Sequence, residues 1–363
     1  MEHTLFHFAI PQDSSPGTKT LWKGLEMFAD FFKRPLLWGN AADRELGAVQ
    51  SEFELNRKDD ECRLSQVMCH TCGMDGMADP MGGNAEFCPP RTEGDSGEAA
   101  KRPPHPFAKF SWGNEKSLRI DPESSGIDVL KELRDHYDRH YYARNMRLVI
   151  MAGYELDEIE QRVREHFRDV PAEPRLPSKD EGSDPIAGRG ITNLEGYGLP
   201  FHPSSLGRVH RIVPVRDHHT LTLTWQFPPL REHWRTKPAD LIGHLIGHEA
   251  SGSVLSVLKS RKYAMGLSAG VGDEGLSDAS THALFEVDVS LSKRGVRNWE
   301  EVVKVIFDYI GMLRGHFLDG DEECLPDWIY EELRDVASSS YRFADEGDVS
   351  VLDYACLPST LLP

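Results

Sequence analysis

Two glutamates seven residues apart, Glu45 and Glu52, are the first side chains in this sequence whose types and spacing point to chemistry. On a helix a seven-residue step returns to within about 20° of its starting direction, so the two carboxylates share one face. Carboxylates beside an apolar stripe suit a divalent metal, with Glu52 binding it directly and Glu45 orienting a histidine ligand. The same spacing equally describes two glutamates facing water on a charged helix, the ordinary location of helical glutamate. His244 and His248 stand four apart, the spacing by which two imidazoles on one helix face hold zinc. Glu249 follows them directly and no carboxylate lies between them, so packing beside Leu241 and Leu245 competes with a metal role. Cys69-His70-Thr71-Cys72, with Cys62 before it and Cys88 after, has one CxxC and no second pair. Free thiols are the preferred reading over a structural zinc cluster.

The elements that must position these residues follow from periodicity. Leu21, Leu25, Phe28 and Phe32 repeat by four, three and four, which predicts an amphipathic helix that Pro35 ends. A second helix after Asn40 carries Leu46, Val49 and Phe53 together with both glutamates. From about Met68 to Pro104 the periodicity disappears into Gly, Pro, Met and Cys, which reads as an insertion or mobile loop. Order resumes with a helix near Gly126 to Tyr142, an apolar strand at Leu148 to Met151, and a helix from Glu155 to Phe167. Prolines, glycines and charges then collect between Pro171 and Gly207, the best position for a linker. Beyond it Leu221, Leu223, Trp225 and Phe227 alternate with polar residues, as do Phe285, Val287, Val289 and Leu291. Trp299, Val303, Ile306, Ile310 and Leu313 form a helical stripe. The fold class is therefore α+β, in two similar tandem modules. The first covers 1–185 with an insertion at about 68–104, the linker covers 186–207, and the second module covers 208–363.

Composition excludes several functions. The chain has 363 residues, 41 basic and 59 acidic, for a net charge of −18. That balance argues against a nucleic-acid partner, which needs a basic face. No run of 18 or more apolar residues is present to span a membrane. The N-terminal residues lack the basic and apolar regions of a secretory signal. Six cysteines in a chain of this length do not make a disulfide scaffold, so a reducing, cytoplasmic location is the simpler expectation.

The run from Leu25 to Glu54 (LEMFADFFKRPLLWGNAADRELGAVQSEFE) resembles the inverted zinc metallopeptidases of the insulin-degrading enzyme and nardilysin type, the M16 family. Further matches are His105-Pro106-Phe107-Ala108-Lys109-Phe110 with Gly113-Asn114, Tyr141-Tyr142 with Asn145-Met146, Arg211-Ile212-Val213-Pro214-Val215, and His244-Leu245-Ile246-Gly247-His248-Glu249. The resemblance implies two modules, each a mainly antiparallel sheet with helices on one face. It also implies an activity, zinc-dependent endoproteolysis of peptides and small unfolded polypeptides. It makes Glu52 the third zinc ligand and Glu45 its support. It places His244, Gly247 and Glu249 at an exosite that anchors the substrate's N-terminus. Leu267, Ser268, Ala269 and Gly270 would form that exosite's second wall, where a strand edge can pair with an extended peptide.

The inverted motif of that family, His-x-x-Glu-His, supplies two imidazoles and the general base. This sequence has no such pentapeptide. The resemblance accordingly implies that the first module is incomplete at its N-terminus and the second at its C-terminus. It implies too that zinc is not held stoichiometrically and that the isolated chain is inactive. Its partners would be peptides, the missing halves of a peptidase or another M16-type chain. The rival expectation is a noncatalytic peptide-binding or regulatory subunit that keeps the exosite and has lost the metal.

Overall fold

Trp22, Leu25, Ala29 and Phe32 are buried along one side of a 14-residue helix, α1 (Thr20–Lys33), and their steps of three, four and three are those of a helical stripe. The predicted stripe, centred on Leu21, Leu25, Phe28 and Phe32, thus lies rotated toward Trp22 and Ala29. This helix belongs to a computed structural model that describes residues 4–10, 20–73, 105–109, 112–176, 198–272, 276–318 and 326–343. Most of the proposed insertion and linker, Cys88 included, lies outside the described residues.

The chain forms two compact units, each drawn from more than one stretch of the sequence. One comprises His3–Glu54, Trp112–Asn193 and Phe343–Pro363; the other comprises Met1–Glu2, Leu55–Ser111 and Leu194–Arg342.

The first of these is helical among its described residues. After α1 it contains most of α2 (Gly39–Asn56). The other unit contributes α3 (Asp60–Gly73), and the helical unit resumes with α4 (Asp121–Ser124), α5 (Val129–His140) and α6 (Leu156–Phe167). Asp128 caps α5 by accepting from the Lys131 amide at 3.0 Å. The last carbonyls of α1, which have no partner inside the helix, are taken up by other segments. The Tyr137 hydroxyl donates to Phe31 O at 2.8 Å, and Arg175 donates to Phe32 O and Lys33 O, both at 3.1 Å. Replacing Tyr137 with phenylalanine is therefore expected to cost about 0.5–1.5 kcal/mol, since a half-buried carbonyl loses its donor. Urea unfolding of the two proteins measures this, and coincident midpoints would contradict it. The strand predicted at Leu148 to Met151 is not formed: the structure assigns no strand to these residues. A strand exists only by pairing, and the described residues of this unit supply no partner strand.

The second unit holds a three-stranded antiparallel sheet of β1 (Thr220–Phe227), β2 (Ala264–Val271) and β3 (Ala283–Leu291), in the order β1-β3-β2. The alternating sequences around 221–227 and 285–291 become β1 and β3, paired from Thr220 with Ser290 to Phe227 with Ala283. β3 is central, and Val287 and Val289 are fully buried in it. Among its described residues this unit has, beyond α3, the α-helices α7 (Pro238–Gly247), α8 (Val254–Ser260), α9 (Lys293–Arg297), α10 (Trp299–Leu318) and α11 (Asp327–Arg342). One core joins Leu245 and Ile246 of α7, Val254, Leu255 and Leu258 of α8, the inward side of β3, and Val302, Ile306 and Leu313 of α10. The helix expected from Trp299 to Leu313 is formed, with Ile306, Ile310 and Leu313 of the expected stripe in or against this core and Val302 rather than Val303 buried. No described helix is long and apolar enough to cross a membrane.

The sequence expectation of an aperiodic segment from Met68 is corrected at its start, because α3 continues helical to Gly73. Asp59 accepts from the amides of Glu61 and Cys62 at 3.1 Å each, which caps the helix and holds its carboxyl below the usual range, the Cys62 amide contributing most. Cys69 and Cys72 then bury against Phe107, Phe201 and Leu284 in a second apolar cluster. Those partners lie far away in sequence, so local periodicity gave no sign of them.

Candidate functional site

α7 and β2 are brought together by glycine. An ideal Cβ on Gly243 would stand 2.8 Å from Ala269 O and 3.2 Å from Gly270 Cα, so only a residue without a side chain lets the helix lie this close to the strand. On Gly247, one turn later, a Cβ would sit in ordinary contact, 3.6 Å from Ala269 N. β2 pairs with β3 alone among the described strands and so forms an edge of the sheet. Ser268 is exposed there, while Leu267, Ala269 and Gly270 are half-buried. The residues singled out as two walls of one site, His244 and Gly247 on one side and 267–270 on the other, thus belong to directly packed elements.

The two histidines of this stretch do not form the helical pair that their spacing suggested. α7 ends at Gly247, and His248 is its C-cap in an extended conformation. The His248 Nδ1 accepts the Ala250 amide at 3.1 Å, and its ring stands at 83° to that of His244 with centroids 5.4 Å apart. Glu249 is exposed, 3.9 Å from Lys259. A different pair at the same spacing, His136 and His140, lies wholly within α5; the spacing was visible in the sequence, but no surrounding motif drew attention to it.

On the sheet face carrying the polar residues, Asp288 stands in register with Thr222 and Ser268, and Glu286 with Thr224 and Gly270. Thr222 donates to Asp288 at 2.5 Å and Thr224 to Glu286 at 3.1 Å. Burial pushes the Glu286 carboxyl above its usual range, against the Thr224 hydrogen bond, and the Asp288 charge adds to the rise.

Glu45 and Glu52 both lie on α2, exposed to solvent, on a helix that buries none of its residues. The helix is tied down through other side chains: Gln50 accepts the Glu115 amide at 2.8 Å, and Asp43 lies 3.6 Å from Arg119. Among the described residues no three His, Cys, Asp or Glu side chains group so as to hold a metal ion. A catalytic zinc ordinarily needs three protein ligands, so the donors near Glu52 do not fit one by themselves. Cys69 and Cys72 serve packing. Burial raises the Cys62 thiol to about 11, with Asp59 adding to the rise, and burial likewise raises Cys69. The Cys72 thiol donates to Pro200 O at 2.9 Å.

Comparison with known proteins bears on this arrangement. The family model described as "Peptidase M16 inactive domain" matches residues 128–322. A nardilysin-like protein of Arabidopsis thaliana is 33% identical over 355 residues, covering 98% of this chain and 29% of the relative. Human nardilysin is 30% identical over 363 residues, covering 100% of this chain and 27% of the relative. The A-factor-processing enzyme of Saccharomyces cerevisiae is 29% identical over 332 residues, 91% of this chain and 27% of that protein. The chain therefore spans less than a third of the length of these curated relatives. The crystal structure of pitrilysin superposes with a TM-score of 0.67 at 23% identity, over 94% of this chain and 30% of that one, which shows a shared fold of helices and antiparallel sheet.

Proposed function

The chain belongs to the M16 peptidase family, and on that premise we propose that it takes part in zinc-dependent endoproteolysis of peptides, with β2 and the end of α7 holding the substrate. The observation that carries the reading is the packing of α7 onto an edge strand through Gly243. An edge strand presents backbone groups with which an extended peptide can pair, and adjacent half-buried side chains give that pairing selectivity. In this reading His244, Gly247, Glu249 and 267–270 bind and orient the peptide, and the chain contributes two tandem modules, 1–185 and 208–363, joined by 186–207. Zinc, when bound, would polarise the scissile carbonyl and acidify a water molecule. Glu52 would supply one carboxylate to that ion and Glu45 would support it, with the imidazoles and the general base contributed by residues outside this sequence. Those residues would come from the remaining portions of a peptidase or from another M16-type chain, in the cytoplasm. No hydrolytic step is assigned to the residues of this chain alone.

A second reading, a noncatalytic peptide-binding subunit, is favoured by the description of the matched family model as an inactive domain. One experiment separates the two: fluorescence anisotropy of a labelled, unstructured peptide, with and without a chelator, alongside a cleavage assay. Binding is expected to weaken about tenfold, or 1.4 kcal/mol, in Gly243→Ala, whose added methyl would push α7 off Ala269. Gly311→Ala on α10, where a Cβ meets nothing within 4 Å, is expected to leave binding unchanged. Cleavage that needs zinc and is lost in Glu52→Gln supports the peptidase, whereas chelator-insensitive binding without cleavage supports the subunit. Equal binding by Gly243→Ala and the unaltered chain would overturn the site itself.

A further inference from the structure

The described sheet has two outer edges, and only one of them is guarded. β2, the edge of the proposed peptide site, carries Gly266 and Gly270, is bulged between Ala264 and Gly266, and has α7 packed on it through Gly243. Bulges and a covering helix are among the devices that keep an edge strand from pairing with another chain. β1, the other edge, reads Thr-Leu-Thr-Leu-Thr-Trp-Gln-Phe, without charge, proline, glycine or a shift of register. Among the described residues, no backbone–backbone hydrogen bond of β1 goes outside its ladder with β3. We propose that a second copy of this chain docks on the free edge of β1, the two strands pairing antiparallel about a two-fold axis at Thr224.

The strand is self-complementary in both respects that such pairing requires. About Thr224, Leu221 meets Phe227, Thr222 meets Gln226, Leu223 meets Trp225, and Thr224 meets its own copy. Apolar side chains thus share one side of the joined sheet and polar ones the other. The same parity sets the outward-pointing N–H and C=O groups of one copy opposite those of the other, since these also alternate with a period of two. A slip of one residue would lose both matches together. An axis at Trp225 would bring Pro228, which has no N–H, opposite Thr222. An axis at Leu223 would draw in His219, whose carbonyl already accepts the Leu291 amide at 2.7 Å.

Charge and closure point the same way. Each chain carries −18, so two copies repel, and they are least opposed where the meeting surfaces hold no ionisable group. A strand pair alone is small for a stable interface. Phe227 is 43% exposed, and Phe307, 51% exposed, lies 6.0 Å from the Trp225 ring, so aromatic surface beside the strand enlarges the contact. Pairing uses the one unguarded edge of each copy and leaves the guarded β2 edges outermost, so growth stops at a dimer.

Sedimentation velocity of the full chain between about 1 and 100 µM tests the docking, and disulfide trapping reads its register. The unaltered chain is expected to pass from monomer toward dimer across that range, more readily at higher salt, which screens the net charges. Thr224→Lys sets two ammonium groups opposite each other and is expected to weaken the dimer about tenfold or more. Ser268→Lys, at an exposed position on the β2 edge, is expected to leave the dimer unchanged. Thr224→Cys places Cα atoms about 4.5–5.5 Å apart across the axis, within the reach of a disulfide. Mild oxidation is therefore expected to trap a covalent dimer of this variant that the unaltered chain, with its own cysteines, does not form. Four results would each overturn the proposal: a monomer at the top of the concentration range, a dimer untouched by Thr224→Lys, a dimer lost in Ser268→Lys, or no trapping in Thr224→Cys. None of them bears on the peptide reading, which concerns the opposite edge of the sheet.

Discussion

Truncating Leu258 to alanine is expected to lower the stability of the sheet-bearing unit by about 2–5 kcal/mol, the cost of losing a fully buried leucine and leaving a cavity. Leu258 has no exposed surface and packs in the core that joins α7, α8, β3 and α10. Leu255, on the same helix, is equally buried, so the site has little freedom to collapse inward and the loss is expected toward the upper part of that range. Denaturant unfolding followed by tryptophan fluorescence reads the effect, since Trp225 packs against this core. Leu55→Ala, at an exposed position, is the comparison and is expected to change stability by less than about 0.5 kcal/mol. A Leu258→Ala midpoint indistinguishable from that of Leu55→Ala would mean that the core is assembled differently.

Gly295→Ala is expected to be nearly as damaging, for the opposite reason. Gly295 is buried in α9, and an added Cβ there would overlap the Tyr263 carbonyl oxygen, with the carbonyl carbon at 2.9 Å and Leu291 Cδ2 at 3.2 Å. The two nearest atoms in the way are backbone and cannot rotate aside. The Tyr263 carbonyl also accepts the Ser292 amide at 2.9 Å, and Ser292 caps α9 by accepting from the Gly295 amide at 3.0 Å. Relieving the overlap therefore strains the link between β3 and α9. Overpacking of this kind costs about 1–3 kcal/mol, and a broken buried hydrogen bond adds about 1 kcal/mol. A thermal melt tests this; a melting temperature unchanged by the methyl group would show that α9 has room the close approach denies.

Periodic elements were legible from residue order alone. β1 and β3 appear because alternation places one side of each strand in a core, and α1 and α10 because their apolar residues return every three or four positions. The helices expected near Gly126 to Tyr142 and from Glu155 to Phe167 are found as α5 and α6. β2 was not legible through its own pattern, since Ala264-Met265-Gly266-Leu267-Ser268-Ala269-Gly270-Val271 has no clean alternation. It became recognisable only through the family resemblance. Neither of its defining contacts, pairing with β3 and the close approach of Gly243, is local in sequence.

The sequence by itself thus determined the family, the α+β composition of the chain and the residues able to carry charge or bind metal. Tertiary structure alone decided which of those residues meet. It ended α7 before His248, kept His136 and His140 on one helix, left Glu45 and Glu52 facing solvent, and turned Cys69 and Cys72 into packing for Phe107, Phe201 and Leu284. It also left Leu148 to Met151 outside any strand. The physical reason is the range of the forces involved. Propensity and periodicity act over a few residues, whereas strand pairing, helix termination and burial depend on partners far away in the chain.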